Sequence, residues 1–195
     1  MSIPAIILAA GASRRLGRPK QLVRITGETL LARTLRTALE SGAGPIFVVL
    51  GARGEEIATS VDLSTAHPVV NPDWEKGIAT SIQAGIHALR QLHPDANAVL
   101  LLVCDQPRLS EEHLRRLIEA FEQASQPAIV ASQYAGMTGI PAIFPASQFS
   151  KLNTLTGDVG ARSLLRNPDC SVVTVLFDGG QVDIDTPSDI DSSFH

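Results

Sequence analysis

The chain reads as an α/β protein, a single Rossmann-like three-layer α/β/α domain with a mostly parallel central sheet and a small β excursion in its C-terminal third. Two observations lead there. Over the first two thirds, apolar runs alternate with segments whose apolar residues repeat at helical spacing, the pattern of strands joined by crossover helices. The runs themselves are almost continuously apolar, as expected of strands covered on both faces. At 195 residues the chain suits one domain spanning 1–195, large enough to bury a core without metal or disulfide.

The expected strands are IPAIILA (3–9), PIFVVL (45–50), AHPVV (66–70), AVLLLVC (98–104) and PAIVAS (127–132). Between them Leu31, Leu35, Ala38 and Leu39 form one helical stripe, and Ile78, Ile82, Gly85, Ile86 and Leu89 a second. Leu114, Leu117, Ile118 and Phe121 form a third, begun by Ser110 as N-cap with Glu111 and Glu112 in the first turn. Past residue 133 the pattern changes. YAGMTGIPAIF carries Gly and Pro, SVVTVLF and QVDIDT read as short strands, and GARSLLR as a short helix. Thr186 and Pro187 read as N-cap and N1 of a final helix.

Composition narrows the function. Aromatic residues make up 4% and the net charge is −4, so a stacking surface for nucleic acid is not expected and any anion site must be a local basic patch. Cys104 and Cys170 form neither a CxxC nor a mixed Cys/His ligand spacing. The first apolar run falls far short of the roughly 20 residues that span a bilayer and lacks a basic leader, so a cytoplasmic protein with no membrane span is expected, with peripheral attachment left open. The histidines form no metal spacing, with His87 and His113 expected on helix surfaces. No serine has a GxSxG setting and neither cysteine has a charged neighbourhood in sequence, so covalent catalysis is unsupported.

Ligands of open parallel sheets bind beyond the carboxyl ends of the strands, and three segments stand there. The first, LAAGASRRLGRPKQL, offers Gly11 and Gly17 for a tight backbone, Ser13 as a hydroxyl donor and Arg14, Arg15, Arg18 and Lys20 as cations. Arg15 and Arg18 read equally well as solvated charges. The loop matches neither GxxxxGK[ST] nor GxGxxG. The second, CDQP, puts Asp105 at a strand end. A carboxylate facing a phosphate loop is a poor phosphate ligand but a good one for Mg2+, which bridges one or two carboxylates to substrate phosphates; the alternative is a helix cap. The third, NPDWEKGIATS, brings Asn71, Gly77, Thr80 and Ser81, with Trp74 expected as a core plug.

A second acidic run, VDIDTPSDID, places Asp183 and Asp185 on one face by period-2 alternation. With Thr186 as the cap, Asp185 is left as a candidate second metal ligand, whereas Asp189 and Asp191 read as solvated. TGDVGAR is a Gly-bracketed turn in which Asp158 is either a local N-cap or a site residue.

These segments carry a resemblance. LAAGASRRLGRPKQL is similar to the signature loop LAAGxSxRxGxxKxL of nucleotidyltransferases with the sugar-nucleotide pyrophosphorylase type of fold. NPDWEKGIATSIQAGI, LLVCDQP, GIPAIF, LTGDVGARSLL and VDIDTPSDI resemble, in order from Ile3 to Ile190, further motifs of the molybdenum cofactor cytidylyltransferase family of MobA-like NTP transferases. The resemblance implies transfer of a nucleotidyl group from an NTP to the terminal phosphate of a molybdopterin-type acceptor, with a client molybdoenzyme beyond it. It implies that Gly11, Ser13, Arg14 and Lys20 hold the triphosphate, that Asp105, with Asp185, holds Mg2+, and that Asn71, Gly77 and Ser81 contact base or ribose. Lys20, Arg14 and Asp105 would be the catalytic set.

Leu8-Ala9-Ala10-Gly11 resembles the cytidylyl branch, since the guanylyl branch tends to have glycine in place of Ala10, which favours CTP. GIPAIF departs from the family, which often has a basic or histidine residue where Ile140 stands. Two rival readings remain open: nucleotidyl transfer to another acceptor, with GTP or with a sugar or polyol phosphate, and a carrier of nucleotide or cofactor without turnover.

Overall fold

The computed structural model describes residues 2–167 and 169–192, with side chains only as far as residue 189 at the C-terminal end. The carboxylate of Asp191 and the whole of His195 lie outside the described residues.

Strand β1 (Ala5–Ala9) leads into a long loop and a small ribbon, β2 (Arg24–Ile25) with β3 (Glu28–Thr29). There follow α1 (Leu30–Glu40), β4 (Ile46–Leu50), α2 (Gly54–Ser60), β5 (His67–Val70), α3 (Ile78–Leu92), β6 (Ala98–Val103) and α4 (Glu111–Gln123). The remainder comprises β7 (Ile129–Tyr134), β8 (Met137–Pro145), α5 (Phe149–Asn153), α6 (Arg162–Leu165), β9 (Val172–Leu176) and α7 (Pro187–Ser192). The main sheet has the order β5-β4-β1-β6-β8-β7-β9, parallel except for β8, which runs antiparallel to both neighbours.

β1 shows why this is a three-layer fold. Its side chains alternate, Ala5, Ile7 and Ala9 entering the core under α1, α2 and α4, and Ile6, Leu8 and Ala10 the core under α3 and α5. Each fully buried Ile or Leu stabilises the fold by about 1.5–3 kcal/mol relative to exposure. α3 lies close on the sheet because Gly85 has no side chain; a Cβ there would come within 2.7 Å of Ile6 Cγ2. Thr29 and Ser110 cap α1 and α4, accepting from Ala32 N at 3.2 Å and His113 N at 3.2 Å.

Three features depart from the sequence reading. β5 is an edge strand whose Val70 is 75% exposed, so its apolar run reflects β propensity rather than burial on two faces. The expected β excursion does fold back on the main sheet: YAGM closes a hairpin through Ala135 and Gly136, both at positive φ, and delivers β8 between β6 and β7. QVDIDT forms no strand; it follows the turn at Gly179–Gly180 and is joined to the segment after β6 by a bond from Ile184 N to Asp105 O, 3.0 Å. Asp189, read as solvated, instead accepts from Asp185 N and Thr186 N at 3.0 and 2.7 Å, so it caps α7, and the Thr186 hydroxyl donates to it.

His113 is a further correction. It is 4% exposed, stacks on Phe177 with centroids 4.3 Å apart, and its Nε2 lies 2.8 Å from Ser132 Oγ. The ring fills the contact between α4 and the sheet, a position that helical spacing alone assigns to either face. Burial, reinforced by the charge of Arg116, pushes its pKa down from 6.5 to about 4. The unfolded chain therefore takes up a proton that the folded one refuses between those values. Stability from this group is complete above pH 6.5 and falls as the pH drops, by about 2 kcal/mol between pH 7 and pH 5. Denaturant unfolding at the two pH values should show that loss and a shallower one in His113→Gln; identical slopes would remove His113 as the cause.

Candidate functional site

The three segments at strand ends meet on one edge of the sheet, around a cavity of about 400 Å³. Leu8, Ala10, Gly11, Ser13, Arg14, Lys20, Gly77, Ser81 and Asp105 line it. Ala9 is buried behind the lining and turns its carbonyl to Gln21. Asn71 is also behind it, 3% exposed, its Nδ2 donating to Thr80 Oγ1 and Ser81 Oγ at 2.9 and 3.0 Å, which aims those hydroxyls.

The opening loop is shaped by its own backbone. Ser13 sits at φ 52 and its carbonyl accepts from Leu16 N and Gly17 N, at 3.0 and 3.2 Å. Its Oγ accepts from Lys20 N at 3.0 Å, leaving the hydroxyl hydrogen to donate elsewhere. Gln21, which the sequence reading passed over, is 1% exposed and donates from Nε2 to Ala9 O and Gly11 O, at 2.7 and 3.0 Å. It clamps the two ends of the turn. Its signal in sequence was slight, one amide inside PKQLV.

Lys20 joins the loop to the acidic residues. Its Nζ donates to Asp105 Oδ2 at 2.5 Å and Asp185 Oδ1 at 2.9 Å, and Arg15 Nη2 donates to Asp185 Oδ2 at 2.7 Å. Burial works against the Lys20 ammonium, but the charge of Asp105 and hydrogen bonds to both carboxylates outweigh it and hold the group well above its ordinary pKa. Asp185 is held below the usual carboxylate range, the cost of its burial being outweighed by Lys20 and Arg15. Asp183, still in reach of solvent, goes the other way, to about 6, through partial burial and repulsion from Asp105 and Asp185. Burial lifts the Cys104 thiol to about 12 and keeps it inert. Arg15 is thus engaged, Arg14 lines the cavity, and Arg18 does not.

Among the described residues no group of three or more His, Cys, Asp or Glu converges on a metal position. Mg2+ needs less, because one or two carboxylates suffice when substrate phosphates and water complete its oxygen shell. Asp105 and Asp185 both reach one cation, Lys20 Nζ, so the pair fits that requirement.

Two loops close over the cavity. Gly77, at φ 108, lies so near the TGDVG turn that a Cβ would fall 2.3 Å from Gly157 C, and Ala79 N donates to Gly157 O at 3.1 Å. That bond satisfies the N-terminus of α3, which has no side-chain cap. Asp158 does not cap α6, which starts at Arg162 behind Ala161 without a side-chain cap; it lines the cavity instead. Trp74, expected in the core, is half-buried in the cavity wall. It packs where a Cβ on Gly51 would meet Trp74 Cβ at 2.5 Å and Ala10 Cβ at 2.9 Å.

A basic, glycine-containing turn facing paired carboxylates across a cleft is an arrangement suited to a phosphate chain and its counter-ion. The profile of the MobA-like NTP transferase domain matches residues 5–172. The chain belongs to that family. Two relatives bear this out in sequence. The purine catabolism protein PucB of Bacillus subtilis is 31% identical over 198 aligned residues, 95% of this chain and 93% of its own. Nicotine blue oxidoreductase of Paenarthrobacter nicotinovorans is 32% identical over 173, covering 84% and 81%. In structure, Rv0371c of Mycobacterium tuberculosis superimposes with a TM-score of 0.87 at 31% identity, covering 99% of this chain and 98% of that one. Rv0371c has also been seen in complex with manganese. The fold is therefore shared with Rv0371c over nearly the whole chain. No helix among the described residues is long and apolar enough to cross a membrane.

Proposed function

We propose that this MobA-like nucleotidyltransferase transfers CMP from CTP to a molybdopterin-type cofactor and releases pyrophosphate, with Mg2+ as its metal. The observation that carries the reading is Lys20, fixed at 2.5 and 2.9 Å between Asp105 and Asp185 on the floor of the cleft where the glycine-containing loop ends. An oxygen of the acceptor phosphate attacks the α-phosphorus, the bond from that phosphorus to the bridging oxygen of the leaving diphosphate breaks, and pyrophosphate departs with the electron pair. Asp105 and Asp185 would hold the ion, which when bound would supply charge neutralisation at the phosphates. Arg14 and Lys20 balance the charge growing on the departing oxygens, while the Ser13 hydroxyl and the loop N–H groups orient the chain. No covalent enzyme intermediate is required.

Ala10 supports the choice of base. Its methyl and the Trp74 side chain both crowd Gly51 in the wall of the cavity, and a methyl at this position leaves less room for a purine than glycine would. Hydride transfer, which the name of one relative suggests, finds no dinucleotide fingerprint in LAAGASRRLG. The test is pyrophosphate release from CTP, GTP, ATP and UTP in turn, each with molybdopterin and with sugar phosphates. CTP with molybdopterin should dominate, and Ala10→Gly should move the preference toward GTP. Turnover with GTP alone would overturn the base assignment, and nucleotide binding without release from any pair would make the protein a carrier.

A further inference from the structure

Among the described residues the main sheet ends in two edge strands, β5 and β9, and they are finished differently. In a parallel ladder alternate residues turn both backbone polar groups to the same side, so one bond fixes the direction of the rest. Asn71 N donates to Leu50 O at 2.8 Å, which turns His67 and Val69 toward β4 and leaves Pro68 and Val70 facing outward. Pro68 has no N–H to offer there, and a proline so placed refuses a further strand. At the opposite edge Ile129 N donates to Ser171 O and Phe177 N to Gln133 O, both at 2.9 Å, so Ser171, Val173, Val175 and Phe177 face β7. Val172, Thr174 and Leu176 therefore direct their N–H and C=O groups away from the sheet.

That outer edge carries no such guard. SVVTVLF (171–177) contains neither a charge nor a proline, Thr174 is exposed, and Val173 and Leu176 are 39% and 56% exposed. The strand also reads nearly alike in both directions about Thr174, with Val172 matching Leu176 and Val173 matching Val175. Just beyond each end stand an acid and a base. At the start are Asp169 and Lys151, whose Nζ lies 3.6 Å from Cys170 Sγ. At the end are Asp178 and the exposed Arg108, which covers Gly179 so closely that a Cβ there would fall 2.5 Å from Arg108 Cδ.

We propose that β9 is an interface between two copies of this chain, joined antiparallel across a twofold axis at Thr174. In that register Thr174 opposes Thr174 of the second copy and Val172 opposes Leu176, each pair exchanging both backbone bonds, about six in all. Thr faces Thr and Val faces Leu, with no like charges opposed. The start of one strand lies beside the end of the other, which brings Asp169 toward Arg108 and Asp178 toward Lys151 of the second copy. A self-complementary strand with complementary ends fits its own copy better than an unrelated peptide.

Sedimentation equilibrium between about 1 and 500 μM should show a reversible monomer–dimer equilibrium with a micromolar Kd, as suits a small interface. Thr174→Pro should weaken it at least about tenfold, because the ring removes one outward N–H from each copy and none that faces β7. Thr174→Cys should form an intermolecular disulfide under mild oxidation, since paired Cα atoms on the axis lie about 5.5 Å apart. Val173→Cys, about 7–8 Å from its own symmetry mate, should not. A wild type still monomeric at about 500 μM overturns the interface, as does a dimer whose Kd stays within about twofold in Thr174→Pro. Should that variant fail to fold, the cysteine pair decides: cross-linking at residue 173 as fast as at residue 174 overturns the proposal, and cross-linking at residue 174 alone supports it.

Discussion

Asp105→Ala is expected to lower pyrophosphate release by about three orders of magnitude, the equivalent of about 4 kcal/mol of transition-state stabilisation. The carboxylate stands at the end of β6, where the strand stops before Pro107. The residue serves twice: its carboxylate accepts from Lys20 Nζ at 2.5 Å, and its backbone carbonyl accepts the bond from Ile184 N that positions the Asp185 segment. The alanine variant keeps that carbonyl, so the segment carrying Asp185 should remain in place. Mn2+ titrated against the protein with CTP present should bind much more weakly to the variant, and CTP alone only modestly so. Undiminished turnover at saturating Mg2+ would remove Asp105 from the metal site.

Lys20→Met should act in two opposite directions. Turnover is expected to fall by roughly a hundred- to a thousandfold, because the ammonium no longer meets the charge developing on the phosphates. Without nucleotide, however, Mn2+ should bind the variant roughly tenfold more tightly, the counterpart of about 1.4 kcal/mol. In the protein as it stands, the ammonium occupies the oxygens that a divalent ion would use, and its side chain is only 18% exposed. An incoming ion must displace it unless a triphosphate draws it away. Manganese electron paramagnetic resonance reads the affinity without turnover. Weaker binding in Lys20→Met would mean that the lysine helps to assemble the metal site rather than competing for it.

Much of this was legible in the chain because the physics is local. β1, β4 and β6 are continuous apolar runs with nowhere to go but the interior, and Ser110 announces α4 three residues before its first free N–H needs a partner. The cleft could be located because open parallel sheets leave their strand ends on one edge. What stayed hidden depended on contacts between distant segments. Helical period cannot say that His113 faces Phe177 rather than solvent, since the wall it meets is formed 64 residues later. Gln21 and Gln106 look like ordinary polar residues until the carbonyls they bridge, Ala9 with Gly11 and Ile140 with Gly180, are brought around them. Asp185 reads in sequence as a candidate second metal ligand on a short strand; it reaches Lys20 from a segment without strand pairing, tied to Asp105 by the backbone bond from Ile184.

The reversed direction of β8 separates the two walls of the cleft in construction as well as in space. One wall rests on the parallel strands β1, β4 and β6, with Gln21 holding the loop after β1 and Asn71 the start of α3. The opposite wall hangs on a hairpin that turns at Ala135 and Gly136 and returns as Met137–Ile140, beyond the last β6–β8 pairing at Leu101 and Ala142. Insertions or substitutions in that overhang leave untouched the bonds of Gln21 within the β1 loop and of Lys20 with Asp105 and Asp185. The shape of one wall can therefore be varied while the other keeps its geometry.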